Sequence, residues 1–536
     1  MATKDATLPL PSTDIPIICQ LDSTVQLLCS LDKSSKTIEI PNIITPKVVK
    51  LSPEGKYLAC IDSTKLTLFA LSDHKVLVSL DFTKQHMLIQ EFLFSPKSTY
   101  LATYEQYAAH HRESKLQNVK IFRIEPQFEQ VIGFTHTQSS ERWEPQWTDN
   151  EKLFVKQTIA GLLFRKTECW HEPFKTFEMP HLFCFQVAKT YTKVPHFAVF
   201  VKGFQSSPCS TRIYQHPLTD SPIVTKAFFN ADSATLHWNY NGTALLVIAH
   251  LETSVNYYGG QSLYYLNLDG TTLNIELDKK GPVYSVDWHP SRDHFAVVYG
   301  LMPSSARIYN HKCQPIITLP SVHRNVVKYN PQGNLLCFAG FGGLKGLMEF
   351  WDVREERPVQ ISEAEANDTT YCQWCPDGER FLTATLSPRL FEGNGFKVWN
   401  FKGELVAKYS IPDKEHLWLI SWRPTPNVLP GPSLQGVKGS FLDQEPENYV
   451  PPNLRKAAVP SKGKQTEVKK KEEAKPILQN SGDDASTKKI CNLKRKLKDI
   501  DKLKQRKNEG KKLEDNQLVK IESEAGIRAE LAALEL

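Results

Sequence analysis

The stretch Val327–Val353, VKYNPQGNLLCFAGFGGLKGLMEFWDV, admits two incompatible folds. Gly340, Gly342, Gly343 and Gly346 surround Lys345, as in a loop that cradles phosphate. The same residues also fit a β-repeat: strand, turn, strand, loop, strand. A nucleotide loop of the form G-x4-G-K-[ST] holds phosphates with backbone amides and the N-terminus of a following helix. Here Lys345 stands five residues after Gly340, where the second glycine belongs. Gly346 occupies the place of the magnesium-binding Ser or Thr, and the residues after it alternate like a strand. The dinucleotide pattern G-x-G-x-x-G fails at Lys345 too. The repeat reading remains, with Val326–Asn330 and Leu335–Ala339 as strands around the turn PQGN. Gly340–Gly346 is then a loop, and Leu347–Val353 a third strand ending on Trp351-Asp352.

Related units run along the chain. VKLSPEGKYLACI begins at Val49, FLFSPKSTYLATY at Phe92, VDWHPSRDHFAVV at Val286 and CQWCPDGERFLTA at Cys372. The turn residues Pro53, Pro96, Asp149, Pro195, Asn241, Pro290, Pro331, Pro376 and Pro424 form a ruler with steps of 41 to 53 residues. Such a period, with several short strands per unit, predicts a β-propeller. Third strands follow, for example TRIYQ at Thr211, ARIYN at Ala306 and FKVWNF at Phe396, and alternation is expected within them. Nine markers predict an all-β fold, a nine-bladed WD40-like propeller over residues 1–428. The unit around Pro195, KTYTKVPHFAVFV from Lys189, is the weakest copy and leaves eight blades open. The ninth unit has only LWLISWRP, so TVQLLCSLD at Thr24 and KTIEIP at Lys36 are expected to complete it and close the ring.

Charge divides the chain. From Ser461 onward there are 20 Lys+Arg and 14 Asp+Glu; the totals of 65 and 59 leave 45 of each in the first 460 residues. A basic tail on a neutral body fits a polyanionic partner or a solvated tail. Residues 429–485, rich in Pro, Lys and Glu, are expected to be a disordered linker. Residues 486–536 are expected to form a basic α-helical hairpin or coiled-coil segment. There Ile490, Leu493, Leu497 and Ile500 make an apolar stripe, and Gly510 is placed to end the first helix. Lys494, Arg495, Lys496, Lys498, Lys502, Lys504, Arg506 and Lys507 crowd the remaining surface as candidate RNA- or ribosome-binding residues.

Catalytic signals are thin. The N-terminus has no run suited to a signal peptide, and no stretch reaches the roughly 18 apolar residues of a membrane span. The eleven cysteines are scattered, as in a reduced compartment. Cys372 and Cys375 form a lone C-x-x-C whose members point to opposite faces of a strand. His110-His111 lies in a polar insert. A propeller enzyme would cluster His, Asp or Glu on its innermost strands, where Val, Ile, Trp and Tyr dominate here. No catalytic residue, metal site or cofactor is therefore expected, and the chain is read as a non-enzyme. The alternative to RNA binding is a generic WD-repeat scaffold with a coiled-coil tail for protein partners.

Four stretches carry a family resemblance. They are GPVYSVDWHPSRDHFAVVYGLMPSSARIYN from Gly281, YNPQGNLLCFAGFGGLKGLMEFWDV from Tyr329, CQWCPDGERFLTATLSPRLFEGNGFKVWNFKGELVAKY from Cys372, and the tail NLKRKLKDIDKLKQRKNEGKKLEDNQLVKI from Asn492. Together they resemble the eukaryotic translation initiation factor 2A family. The resemblance implies a nine-bladed propeller in a cytoplasmic factor that is no membrane protein. It implies delivery of initiator methionyl-tRNA to the small ribosomal subunit without GTP hydrolysis, including at alternative start codons. The small subunit, initiator tRNA, mRNA and other initiation factors are the implied partners. Within Leu386–Gly395, LSPRLFEGNG, Arg389 is a candidate surface contact, as is Lys345 in the glycine loop.

Overall fold

In five of the nine units a short polar residue one or two positions before the turn marker closes the turn. Ser52 Oγ accepts the amides of Lys56 (3.1 Å) and Tyr57 (2.9 Å), and Ser95 Oγ accepts that of Tyr100 (2.9 Å). Thr148, Asn239 and Asn330 do the same for Leu153, Ala244 and Leu335. A short polar side chain thus closes the turn and satisfies the first amide of the next strand, which would otherwise be buried unpaired.

The computed structural model describes residues 15–434, except 32–36, 41–44, 82–88, 108–116, 138–141, 173, 189–193, 205–206, 229–230, 252–259, 356 and 413, together with Ile500 and Glu524. The described residues form nine four-stranded antiparallel sheets, the blades of a propeller. Blade seven consists of Val326–Tyr329, Leu335–Ala339, Leu347–Asp352 and Val359–Glu365. Blade eight consists of Tyr371–Trp374, Arg380–Thr385, Gly395–Asn400 and Leu405–Ser410. The weak fourth unit is a full blade. Its first strand is Leu182–Val187, upstream of the stretch that sequence pattern selects, and its second is His196–Val201. Blade nine pairs Leu417–Trp422 with Ile17–Leu21, followed outward by Val25–Leu28 and Thr37–Glu39. Ile17–Leu21, which the sequence reading leaves out, therefore carries the closing ladder, with Ile17 opposite Trp422 and Cys19 opposite Ile420.

Alternation is weaker than expected in the third strands. Leu347–Asp352 and Ser304–Tyr309 are buried on both faces, as are second strands such as Tyr57–Ile61. Each sheet is sandwiched between two neighbours, so its middle strands never meet water. The solvated period of two survives in outer strands such as Lys75–Asp81.

Tryptophans staple consecutive blades. The indole Nε1 of Trp238 donates to the Gln186 carbonyl (3.1 Å), that of Trp288 to His237 (2.9 Å) and that of Trp374 to Lys328 (3.0 Å). Each acceptor lies on the first strand of the preceding blade, so first strands face one another around the axis.

The meander gives two unlike faces. First–second and third–fourth turns open on one, here the turn face. Second–third loops and the connections between blades open on the other, the loop face. After Trp422 the chain crosses the turn face: Gln332 Nε2 donates to the Leu429 carbonyl (2.9 Å), and Leu434 is buried beside Trp374 and Phe381. These residues lie beyond position 428, where the propeller was expected to end. In the second compact unit, Tyr449–Leu536, Ile500 and Glu524 are helical and Ile500 is buried. Among the described residues, no helix is long and apolar enough to cross a membrane.

Trp374→Phe keeps most of the buried volume and removes the staple's donor, so about 1 kcal/mol of stability should be lost. Trp374→Ala also leaves a cavity and should cost about 3–5 kcal/mol. Denaturant midpoints of the two variants check the order.

Candidate binding surface at the ring seam

The glycine loop of blade seven is packed from both sides. The Gly340 amide donates to Leu347 (2.8 Å), Gly342 to Thr369 (2.9 Å) and Gly346 to Gly340 (2.8 Å). The Phe341 amide donates to Asn325 Oδ1 (2.9 Å), whose Nδ2 donates back to the Phe341 carbonyl (2.9 Å). Four of the loop's seven amides, those of Gly340, Phe341, Gly342 and Gly346, are thus committed to the protein itself. Gly346 has φ +88°, and a Cβ there would stand 2.1 Å from the Ala366 carbonyl oxygen, so only glycine fits. In the same blade, Arg324 and Glu349 are buried as a bidentate pair, with Arg324 Nη2 2.7 Å from Glu349 Oε1. Arg324 Nη1 also donates to the Pro320 carbonyl (2.6 Å) on the last strand of blade six, so Arg324 joins that strand to the third strand of blade seven.

Arg389 reaches this loop from blade eight. Its guanidinium lies over Gly342, where a Cβ would stand 2.5 Å from Nη2. Lys345 and Arg389 are both exposed, and the loops that carry them touch on the loop face. The Leu386–Gly395 loop is held by Asn394, which is buried. Its Nδ2 donates to the Leu390 carbonyl (2.8 Å), and its Oδ1 accepts from Ser387 Oγ and from the Leu417 amide (2.9 Å each). Rigid support of this kind presents Leu390 and Phe391 to solvent, 37% and 55% exposed.

Beside them lies the closing seam. Phe391 meets His416 edge-on at 5.4 Å between ring centroids, and Trp418 lies 6.4 Å from Phe391. Asp22, in the loop after Ile17–Leu21, fastens both residues: Trp418 Nε1 donates to Oδ1 (2.6 Å) and the His416 amide to Oδ2 (2.9 Å). His416 Nδ1 is 3.0 Å from the same Oδ2. Slight burial would raise the Asp22 pKa, but the hydrogen bonds from Trp418 and His416 outweigh it and hold the carboxyl below its ordinary value. Large apolar side chains are exposed elsewhere on this face, at Ile159, Phe204 and Leu301. At the seam, however, Leu390, Phe391, Trp418 and Arg389 come together, the composition of an interface anchor rather than of a catalytic centre.

Sequence pattern singled out Lys345 and Arg389, and the structure brings their loops together. It missed Asp22, His416 and Trp418 and did not separate Phe391 from its segment. One signal was available: Trp418 precedes Trp422 by four residues, where the corresponding positions before Trp238, Trp288 and Trp374 hold Ala234, Tyr284 and Thr370. Cys372 and Cys375 do face opposite ways, one packed against the core between blades seven and eight and the other in the core between eight and nine. Burial pushes the Cys372 thiol up to about 12. Among the described residues, no group of three His, Cys, Asp or Glu could hold a metal ion. His110-His111 and the tail cations Lys494, Arg495, Lys496, Lys498, Lys502, Lys504, Arg506 and Lys507 lie outside the described residues.

The Asp22 latch yields a signed prediction. Asn offers one acceptor oxygen and turns an NH2 toward the other donor, so Asp22→Asn should lower stability by about 1 kcal/mol near neutral pH. Because the folded carboxyl is depressed, this contribution is complete above the unfolded value and is lost as pH falls through the folded one. Melting curves of wild type and variant should therefore be separated by a constant gap from pH 7 to 5 and should converge below the ordinary value of 3.8.

Comparison with known proteins points in a consistent direction. The family described as eukaryotic translation initiation factor eIF2A matches residues 226–420, and its C-terminal domain matches residues 488–534. The chain is 30% identical to eukaryotic translation initiation factor 2A of Caenorhabditis elegans, covering 91% of this chain and 92% of that protein. It is 29% identical to the Schizosaccharomyces pombe protein of the same name, over 90% and 92% of the two chains. A solved structure described as the eukaryotic initiation factor superimposes with a TM-score of 0.67 at 26% identity, covering 77% of this chain and all of that one.

Proposed function

This chain belongs to the eukaryotic translation initiation factor 2A family, and from that premise we propose that it works by binding rather than by catalysis. It delivers initiator methionyl-tRNA to the small ribosomal subunit without hydrolysing GTP, and it serves alternative start codons among others. The observation that carries this reading is the similarity to relatives of that name over nine-tenths of both chains, propeller and tail together. The absence of a G-K-[ST] sequence after Gly340, with the amides of Gly340, Phe341, Gly342 and Gly346 already bonded, supports a mechanism without a nucleotide switch. In this account the seam surface, with Arg389, Phe391 and Trp418 at its centre and Lys345 at its edge, is the propeller's contact with the initiation complex. The tail cations Lys494, Arg495, Lys496, Lys498, Lys502, Lys504, Arg506 and Lys507 hold rRNA or mRNA through phosphates, without reading sequence. The work takes place in the cytoplasm, alongside other initiation factors.

Co-sedimentation with purified small subunits tests the division of labour. Removing Ser486–Leu536 should abolish the steeply salt-dependent part of binding, since each released phosphate contact contributes about 0.7–0.9 to the logarithmic salt slope. Trp418→Ala with Phe391→Ala should weaken what remains. Salt-insensitive binding unchanged by the truncation would refute the role given to the tail.

A further inference from the structure

The turn face carries a cleft that the account above does not use. Between blades three and four, their turns enclose a cavity of about 880 Å³, within the range of small-molecule sites. Lys152, Arg165, Lys166 and Lys175 line it, against Glu168 and Glu172. Lys152 and Lys166 are exposed and form no ion pair among the described residues, and Lys175 donates to the Pro217 carbonyl (3.1 Å). The cation surplus is felt inside. His216, stacked on Phe164 at 4.9 Å, has its pKa lowered to about 4, first by burial and then by Lys175 and Lys166. Arg165 is buried, its guanidinium 3.7 Å from the centroid of the Phe174 ring, and its Nε has no hydrogen-bond partner. One wall is apolar: Pro217 and Leu218 stand at the mouth, and Leu218 is 66% exposed.

A cationic floor beside an exposed apolar lip matches a ligand with one anionic end and one flat, weakly polar end. We propose that this cleft binds a nucleotide, its phosphate held by Lys152, Lys166 and Lys175 and its base laid against Pro217 and Leu218. The nucleotide is an unpaired residue of RNA or a free mononucleotide; the two share this chemistry. Phosphate at the lysines offsets the surplus of four cations over the two carboxylates Glu168 and Glu172, and the base covers surface that otherwise faces water. The site is separate from the seam: it lies on the opposite face, on blades three and four rather than seven to nine.

Lysine acylation read by mass spectrometry on the full-length protein tests it, because each position reports for itself whatever the tail binds. Saturating single-stranded RNA, or AMP, should slow labelling of Lys152, Lys166 and Lys175 while leaving exposed Lys75 unchanged. Protection by RNA alone assigns the site to RNA, and protection by AMP as well assigns it to nucleotides in general. In the full-length chain, Lys166→Glu with Lys175→Glu should reduce the logarithmic salt slope of RNA binding by about 1.4, two single-strand phosphate contacts. The melting temperature should hold, since both side chains are exposed. Unchanged labelling at all three lysines with both ligands overturns the proposal. That result would leave co-sedimentation with small subunits intact, so it is distinguishable from failure of the initiation reading.

Discussion

The ring stands on one ladder. Leu417–Trp422, at the end of the propeller sequence, pairs with Ile17–Leu21, near its beginning. Were the strands apart, blade nine would be a lone strand facing three unpaired ones, and the ring would expose two open edges. Nothing local drives this pairing, because some 400 residues separate its halves and their closure entropy must be offset by burial. All of Ile17–Leu21 is buried, and Trp422 is fully enclosed. Further bonds cross the same seam: Arg423 donates its amide to Pro16 (2.8 Å) and Tyr409 its hydroxyl to Leu31 (2.6 Å).

Closure and the exposed seam surface therefore share residues. Asp22 fixes Trp418 and His416 as part of the latch, and the same contact sets the rings that face solvent beside Phe391. A partner that grips Trp418 and Phe391 reads a surface that exists only when the ring is shut. The glycine loop serves that surface from the other side. Its glycines let backbone pass close to Ala366 and lie under Arg389, Asn325 holds it through Phe341, and the buried Arg324–Glu349 pair fixes the entry of the same blade. A pair of this kind adds little net stability against an apolar substitute, but removing one partner strands a buried charge. Its value here is positional.

Much of the architecture was legible because each blade repeats a local physical device. A short polar residue just before a turn marker, then an apolar run, recurs at Ser52, Ser95, Thr148, Asn239 and Asn330, where the chain reverses and caps a buried strand. Val326–Asp352 was assigned nearly residue by residue on that basis. The first strand of blade four was misplaced because Pro195 sits at the end of a long connection rather than just after Val187. Ile17–Leu21 was passed over because its role depends on a partner far along the chain, which no local pattern encodes. The seam surface was half legible for a similar reason. Arg389 and Lys345 stand out as isolated cations in odd loops, whereas Asp22, His416 and Trp418 become a site only through pairing across the closure.

In the function proposed for this initiation-factor relative, the seam surface and the basic tail are the parts that touch the small subunit. Residue-resolved crosslinking of the full-length protein on small subunits tests it most directly. Crosslinks should gather at Lys345, Arg389, Trp418 and the cations between Lys494 and Lys507. Crosslinks confined to the outer strands, such as Lys75–Asp81, with the seam residues unreactive, would contradict it.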